Sequence, residues 1–98
     1  MINFDKLKNS IKHKEKVKKE AFENILKSCI NKIEFVGNSG NVDCWYMIPR
    51  IVLGYPKYNV IECAKHIELK LKKESFEVIF YEPSLLFISW KNMDFNSK

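Results

Sequence analysis

Three observations predict an α+β chain laid out as a winged helix-turn-helix. Ala21, Phe22, Ile25, Leu26, Cys29, Ile30 and Ile33 recur at the helical period. On either side of Pro83-Ser84, Phe76, Val78 and Phe80 share one face of a first strand and Leu86, Ile88 and Trp90 one face of a second, as in a hairpin. Between them a Gly54-Tyr55-Pro56 corner is followed by Asn59, placed where the N-cap of another periodic stretch belongs. The resulting order is long helix, strand, two helices and a β-hairpin, with a basic N-terminal helical extension.

Residues 1–20 form the predicted basic arm. Lysines stand at 6, 8, 12, 14, 16, 18 and 19, with Leu7, Ile11 and Val17 as the large apolar residues after position 5. No Gly or Pro interrupts this stretch, so helix is allowed, but neighbouring lysines repel. The expectation is an arm frayed at its start. From Ala21 the helix turns amphipathic, and Gly37-Asn-Ser-Gly-Asn41 should stop it near Phe35 or Val36. Val42-Asp-Cys-Trp-Tyr-Met-Ile48 then reads as a strand, with Val42, Cys44, Tyr46 and Ile48 on one face.

Pro49 suits the first position of a helix, where its missing N–H has no partner to lose. A brief helix over 50–53 closing at Gly54 is therefore expected. Asn59 with Glu62 three positions on has the spacing of a capping box. The helix it opens should run to Lys73, with Val60, Cys63, Ala64, Ile67 and Leu71 inward. Strands over 76–82 and 85–90 follow, joined by a tight turn at Pro83-Ser84. The winged-helix domain thus spans 21–90, and 91–98 is expected to be a flexible tail.

The 98 residues suffice for one domain. No apolar run approaches the roughly 20 residues of a membrane span, and the lysine-rich start does not resemble a secretory leader. Cys29, Cys44 and Cys63 are odd in number and lack Cys-x-x-Cys spacing, which argues for buried reduced thiols over disulfides or zinc. A reducing, cytosolic compartment is the expected location. The charge of +5 comes from 16 Lys and one Arg against 12 acidic residues. Few Arg with many Asn and Ile also suits an AT-rich genome, so part of the lysine excess reflects codon bias. Scarce Arg weakens specific readout of guanine.

No catalytic constellation is legible, so no enzyme, cofactor or metal is expected. His13 and His66 lack Ser or Cys partners at telling spacing, and Gly37-Asn-Ser-Gly40 lacks the Lys and helix of a phosphate loop. The candidate nucleic-acid-binding residues are Lys12, Lys14, Lys16, Lys18 and Lys19 of the arm with Lys57, Lys65, His66, Lys70 and Lys73. In a winged helix the third helix enters the major groove. Lys57, Tyr58, Asn59, Glu62, Lys65 and His66 would form its reading edge, while Lys70 and Lys73 would touch phosphates. Double-stranded DNA is the expected partner. The same lysines also suit an ordinary solvated surface, and Glu62 and Glu68 dilute the field. The hairpin tip, Glu82-Pro83-Ser84, is acidic instead of basic. An exposed patch of Trp45, Tyr81, Leu85 and Phe87 would instead mark a protein interface, with another protein or in a homodimer.

Gly54-Tyr55-Pro56-Lys57-Tyr58-Asn59-Val60, Cys63, Phe76-x-Val78, Tyr81-x-Pro83 and Ile88-Ser89-Trp90 resemble a small uncharacterised family encoded by nucleocytoplasmic large DNA viruses. The likeness covers roughly residues 2–90 and implies a viral source, with no activity or binding residues attached. Two positions depart from that pattern. Lys57 stands where an apolar residue is common, and Ser75 where glycine often precedes the Phe.

Overall fold

The computed structural model describes residues 3–93. Its elements are α1 (Phe4–Asn38), β1 (Asp43–Met47), α2 (Val60–Lys73), β2 (Glu77–Tyr81) and β3 (Leu85–Ser89). The strands form one antiparallel sheet in the order β1-β3-β2, so the last strand lies in the middle. The result is a mixed α+β fold of two helices on one three-stranded sheet. The predicted tail lies, from residue 94 on, outside the described residues.

Strand alternation decides which face is covered. Cys44 and Tyr46 of β1, Val78 of β2, and Leu86 and Ile88 of β3 point toward the helices and are buried. They meet Phe22, Ile25, Leu26, Cys29 and Ile33 of α1 and Cys63, Ala64, Ile67 and Leu71 of α2 in one core. Leu86, Ile88, Ile67 and Ile48 are almost wholly removed from water, and burial of such a side chain stabilises by about 1.5–3 kcal/mol. Ile30, predicted inward, is instead 39% exposed because it sits at the border of the stripe.

The predicted helix over 50–53 is absent, and 49–59 runs as irregular chain with one turn closed by Tyr55 N–H to the Val52 carbonyl at 3.1 Å. Four residues cannot repay helix nucleation, and here Ile51 and Leu53 find nothing to bury against. The corner is fastened from outside. Asn24 Nδ2 donates to the Tyr55 hydroxyl at 2.6 Å, and the Tyr58 hydroxyl donates to the Pro49 carbonyl. The arm is not frayed at its start either. Asn3 caps α1 by accepting from Lys6 N at 3.0 Å, and the helix continues unbroken for 35 residues.

Both helices close in the same way. At the end of α1, Gly40 N bonds the Gly37 carbonyl and Asn41 N bonds the Val36 carbonyl, with Gly40 at φ +91°. At the end of α2, Ser75 N bonds the Lys72 carbonyl and Phe76 N bonds the Leu71 carbonyl, with Ser75 at φ +72°. These are paired Schellman motifs. α1 therefore outlasts the predicted stop near Val36 by two residues, because Gly40 rather than Gly37 takes the left-handed position. Gly37 stays helical and lies against Trp90, whose nearest ring carbon would be 3.6 Å from an added Cβ. The hairpin loop is three residues, Glu82-Pro83-Ser84, between paired Tyr81 and Leu85. Ile48 N donates to the Ser84 carbonyl at 2.8 Å and ties that tip to the end of β1.

Candidate nucleic-acid interface

α1 passes across the start of α2, so the arm and the first turns of α2 build one surface. Lys16, Lys18 and Lys19 of α1 and Lys65 and His66 of α2 line an open groove of about 620 Å³ with Glu15, Phe22, Glu62 and Leu69. Lys14, Lys18 and Lys57 converge around a neighbouring hollow of about 360 Å³ beside Glu15, Pro56 and Tyr58. Seven of the ten predicted residues thus come together. Lys12 stands further out on the projecting half of α1. Lys70 and Lys73 lie toward the other end of α2, a rise of about 12 Å separating Lys73 from Lys65. There they face the negative end of the helix dipole, a stabilising position for cations.

The members of the groove are not equally free. Lys18 Nζ lies 2.7 Å from Glu62 Oε1 and 3.6 Å from Glu15 Oε2. The hydrogen bond that Lys18 donates to Glu62, with attraction from both carboxylates, raises the Lys18 pKa against a smaller opposing effect of burial. His66 is half-buried, its Nε2 3.1 Å from Glu23 Oε1 and its ring 5.6 Å from that of Phe22. It joins the two helices more than it faces outward. Among the described residues Lys14, Lys16, Lys19, Lys57 and Lys65 make no ion pair. Those five are the cations available to a ligand.

Tyr58, expected on the reading edge, is core: it is buried, its ring edge-on to Phe22 at 5.9 Å. Asn59 accepts from Glu62 N at 3.1 Å and is occupied as the cap of α2. The capping box is half-made, since the Glu62 carboxylate turns to Lys18.

The opposite side of the sheet carries the second candidate. Trp45, Phe87 and Ile79 are paired across the three strands, and Met47, Leu85 and Tyr81 form the next row. The Trp45 ring lies 4.7 Å from Phe87 and 5.6 Å from Tyr81. Trp45, Met47, Ile79 and Tyr81 remain 46–68% exposed, and Leu85 and Phe87 are half-buried. The expected patch of Trp45, Tyr81, Leu85 and Phe87 is thus real, and Met47 and Ile79 enlarge it. The sheet strands contribute no basic residue; Asp43, Glu77 and Glu82 bound the patch.

All three cysteines are free and buried. Burial pushes the Cys29 and Cys63 thiols up to about 12 and raises that of Cys44. Among the described residues no cluster of three His, Cys, Asp or Glu could hold a metal, and no helix is long and apolar enough to cross a membrane.

The model of a family of unknown function, DUF5759, matches residues 2–72. "Uncharacterized protein R447" of Acanthamoeba polyphaga mimivirus is 32% identical over 95 residues, which cover 93% of this chain and 77% of that protein. No solved structure matches the chain. The family match takes in the arm, the corner and nearly all of α2, and the mimiviral relative extends the likeness through the hairpin. The chain belongs to the DUF5759 family, an uncharacterised family with a giant-virus member.

Proposed function

We propose that this chain is a non-enzymatic viral nucleic-acid-binding protein of winged-helix type, with double-stranded DNA as its partner. The observation that carries this reading is the convergence of arm and α2 lysines, Lys16, Lys19 and Lys65 with Lys18 and His66, on one open groove. The sheet order β1-β3-β2, with a helix directly before the hairpin, is the arrangement a winged helix requires. The irregular 49–59 segment stands where that fold has its second helix. The free lysines and the projecting arm would track phosphates, so affinity would be mostly electrostatic.

A fluorescence-anisotropy titration of a short duplex over a salt series tests this. Five free lysines on phosphates predict a log–log salt slope of about −4 to −5. Replacing Lys16, Lys19 and Lys65 together by Ala should flatten the slope by about three. Absence of any complex at low salt and high micromolar protein would defeat the reading.

The exposed sheet face favours a second reading, a structural or adaptor protein of the virion that docks another protein there. The acidic hairpin tip supports it, since a phosphate-gripping wing would carry the opposite charge. Host cytoplasm or virion interior suits either reading.

A further inference from the structure

The sheet has two helices on one face and none on the other, while α1 runs on well past its own core. On that projecting half Phe4, Leu7 and Ile11 are 50–63% exposed. Their spacing of three and four places them in one stripe, in line with Phe22, Ile25 and Cys29 of the same helix. Beyond a charged interval at Lys14, Glu15 and Lys18, the same face of α1 is apolar again at Phe4, Leu7 and Ile11, which are left uncovered. α1 is one unbroken helix, so this stripe cannot fold back onto the chain's own sheet.

We infer that the open sheet face receives the Phe4, Leu7 and Ile11 stripe of a second copy of this chain. The inference names an occupant for the face used in the protein-docking reading, and it rests on that reading. Shape agrees: the stripe is about 10 Å long at 1.5 Å per residue. The three strands span about 10 Å at their ordinary spacing. Charge agrees as well. At 100° per residue Lys8 and Lys14 flank the stripe on either side. The apolar rows of the sheet end in Asp43 and Glu77 at one margin, which supplies the complementary charge, whereas at the other Glu82 shares its hollow with Arg50. Two arms packed on each other would instead bring together two lysine-rich helices, and two sheets face to face would oppose their acidic margins. Reciprocal exchange gives each copy one donated and one received contact, a closed two-fold dimer. Lys16 points away from the stripe, while Lys12 and Lys19 stand to its side, about 90–110° around the helix from its centre.

Sedimentation equilibrium of the full chain tests this with two variants built at exposed positions. One is Phe4→Ser with Leu7→Ser and Ile11→Ser; the other is Met47→Lys with Ile79→Lys. The wild type should be a dimer, and each variant alone should lose dimerisation by roughly a hundredfold or more. Mixing the two variants should restore a weaker heterodimer, since one intact arm still meets one intact sheet. A second readout is internal. Trp45 lies in the receiving face while Trp90 is buried within the core, so wild-type fluorescence should shift to the blue as concentration rises. The arm variant should show no such shift. This readout decides the matter even where the sheet variant fails to fold.

A wild-type chain that stays monomeric at high micromolar concentration would overturn the inference. A dimer unaffected by the sheet variant would overturn it in favour of arm–arm pairing, and one unaffected by the arm variant in favour of sheet–sheet pairing. The protein-docking reading is scored separately. It fails only if Met47→Lys with Ile79→Lys also leaves capture of virion proteins unchanged.

Discussion

Lys18 Nζ and Glu62 Oε1 lie 2.7 Å apart, 44 positions apart in sequence, and this contact locks the arm against the cap of α2. It consumes one cation of the basic groove and the carboxylate that would have completed the capping box. Both groups are partly exposed, so the pair contributes little to stability. Its effect falls on ligand binding. Glu62→Gln should release Lys18 toward phosphate and steepen the salt slope of duplex binding by about one. Stability should hardly change. Anisotropy titrations and urea melts of the two proteins check both parts.

The cap itself acts separately from that ion pair. Asn59 Oδ1 accepts from Glu62 N at 3.1 Å, satisfying a helix-end N–H that has no backbone partner. Asn59→Ala should cost about 1 kcal/mol. In a domain of this size that lowers the thermal midpoint by about 4–8 °C. Asn59→Asp should be nearly neutral, and thermal denaturation followed by circular dichroism distinguishes the two.

Much of this fold was legible in sequence, because its long elements declare their period. The stripe of α1 from Ala21, the alternation of β2 and β3, and the Asn59 cap each follow from local spacing. The 50–53 segment was misread because Pro49 and Gly54 carry the right punctuation while tertiary contacts decide whether four residues form a helix. Nothing local to Tyr58 says that its hydroxyl reaches the Pro49 carbonyl. The candidate lysines were all nameable, but their availability was not. Lys18 and His66 are taken up by Glu62 and Glu23, partners 44 and 43 positions away. Such pairings depend on how two helices cross, which no single stretch encodes.

Ser75 stands at a backbone position that suits glycine. It holds the left-handed position of the motif that closes α2, at φ +72°, whereas Gly40 fills the matching position after α1. A side chain in that conformation costs roughly 1–2 kcal/mol. Ser75→Gly should therefore stabilise the fold by about 0.5–1 kcal/mol, part of the relief being offset by greater freedom of the unfolded chain. Gly40→Ser should be destabilising by a similar amount. Equilibrium unfolding in urea measures both, with an unchanged denaturant slope expected.

The buried thiols give the last prediction its sign. Cys29 and Cys63 keep their protons up to about 12 in the folded protein, chiefly because burial disfavours the thiolate. In the unfolded chain they ionise near 9.0, as an exposed thiol does. Between those values the unfolded state binds fewer protons than the folded one, so stability must fall as pH rises. The stabilisation is complete below about pH 9 and declines through the window to about 12. Urea midpoints taken from pH 7 to pH 11 should be flat at first and then drop. Cys29→Ala with Cys63→Ala should start from lower stability because of the volume lost, yet show a shallower alkaline decline. The same burial predicts that a thiol reagent at pH 8 labels none of the three cysteines in the folded protein and all of them in urea.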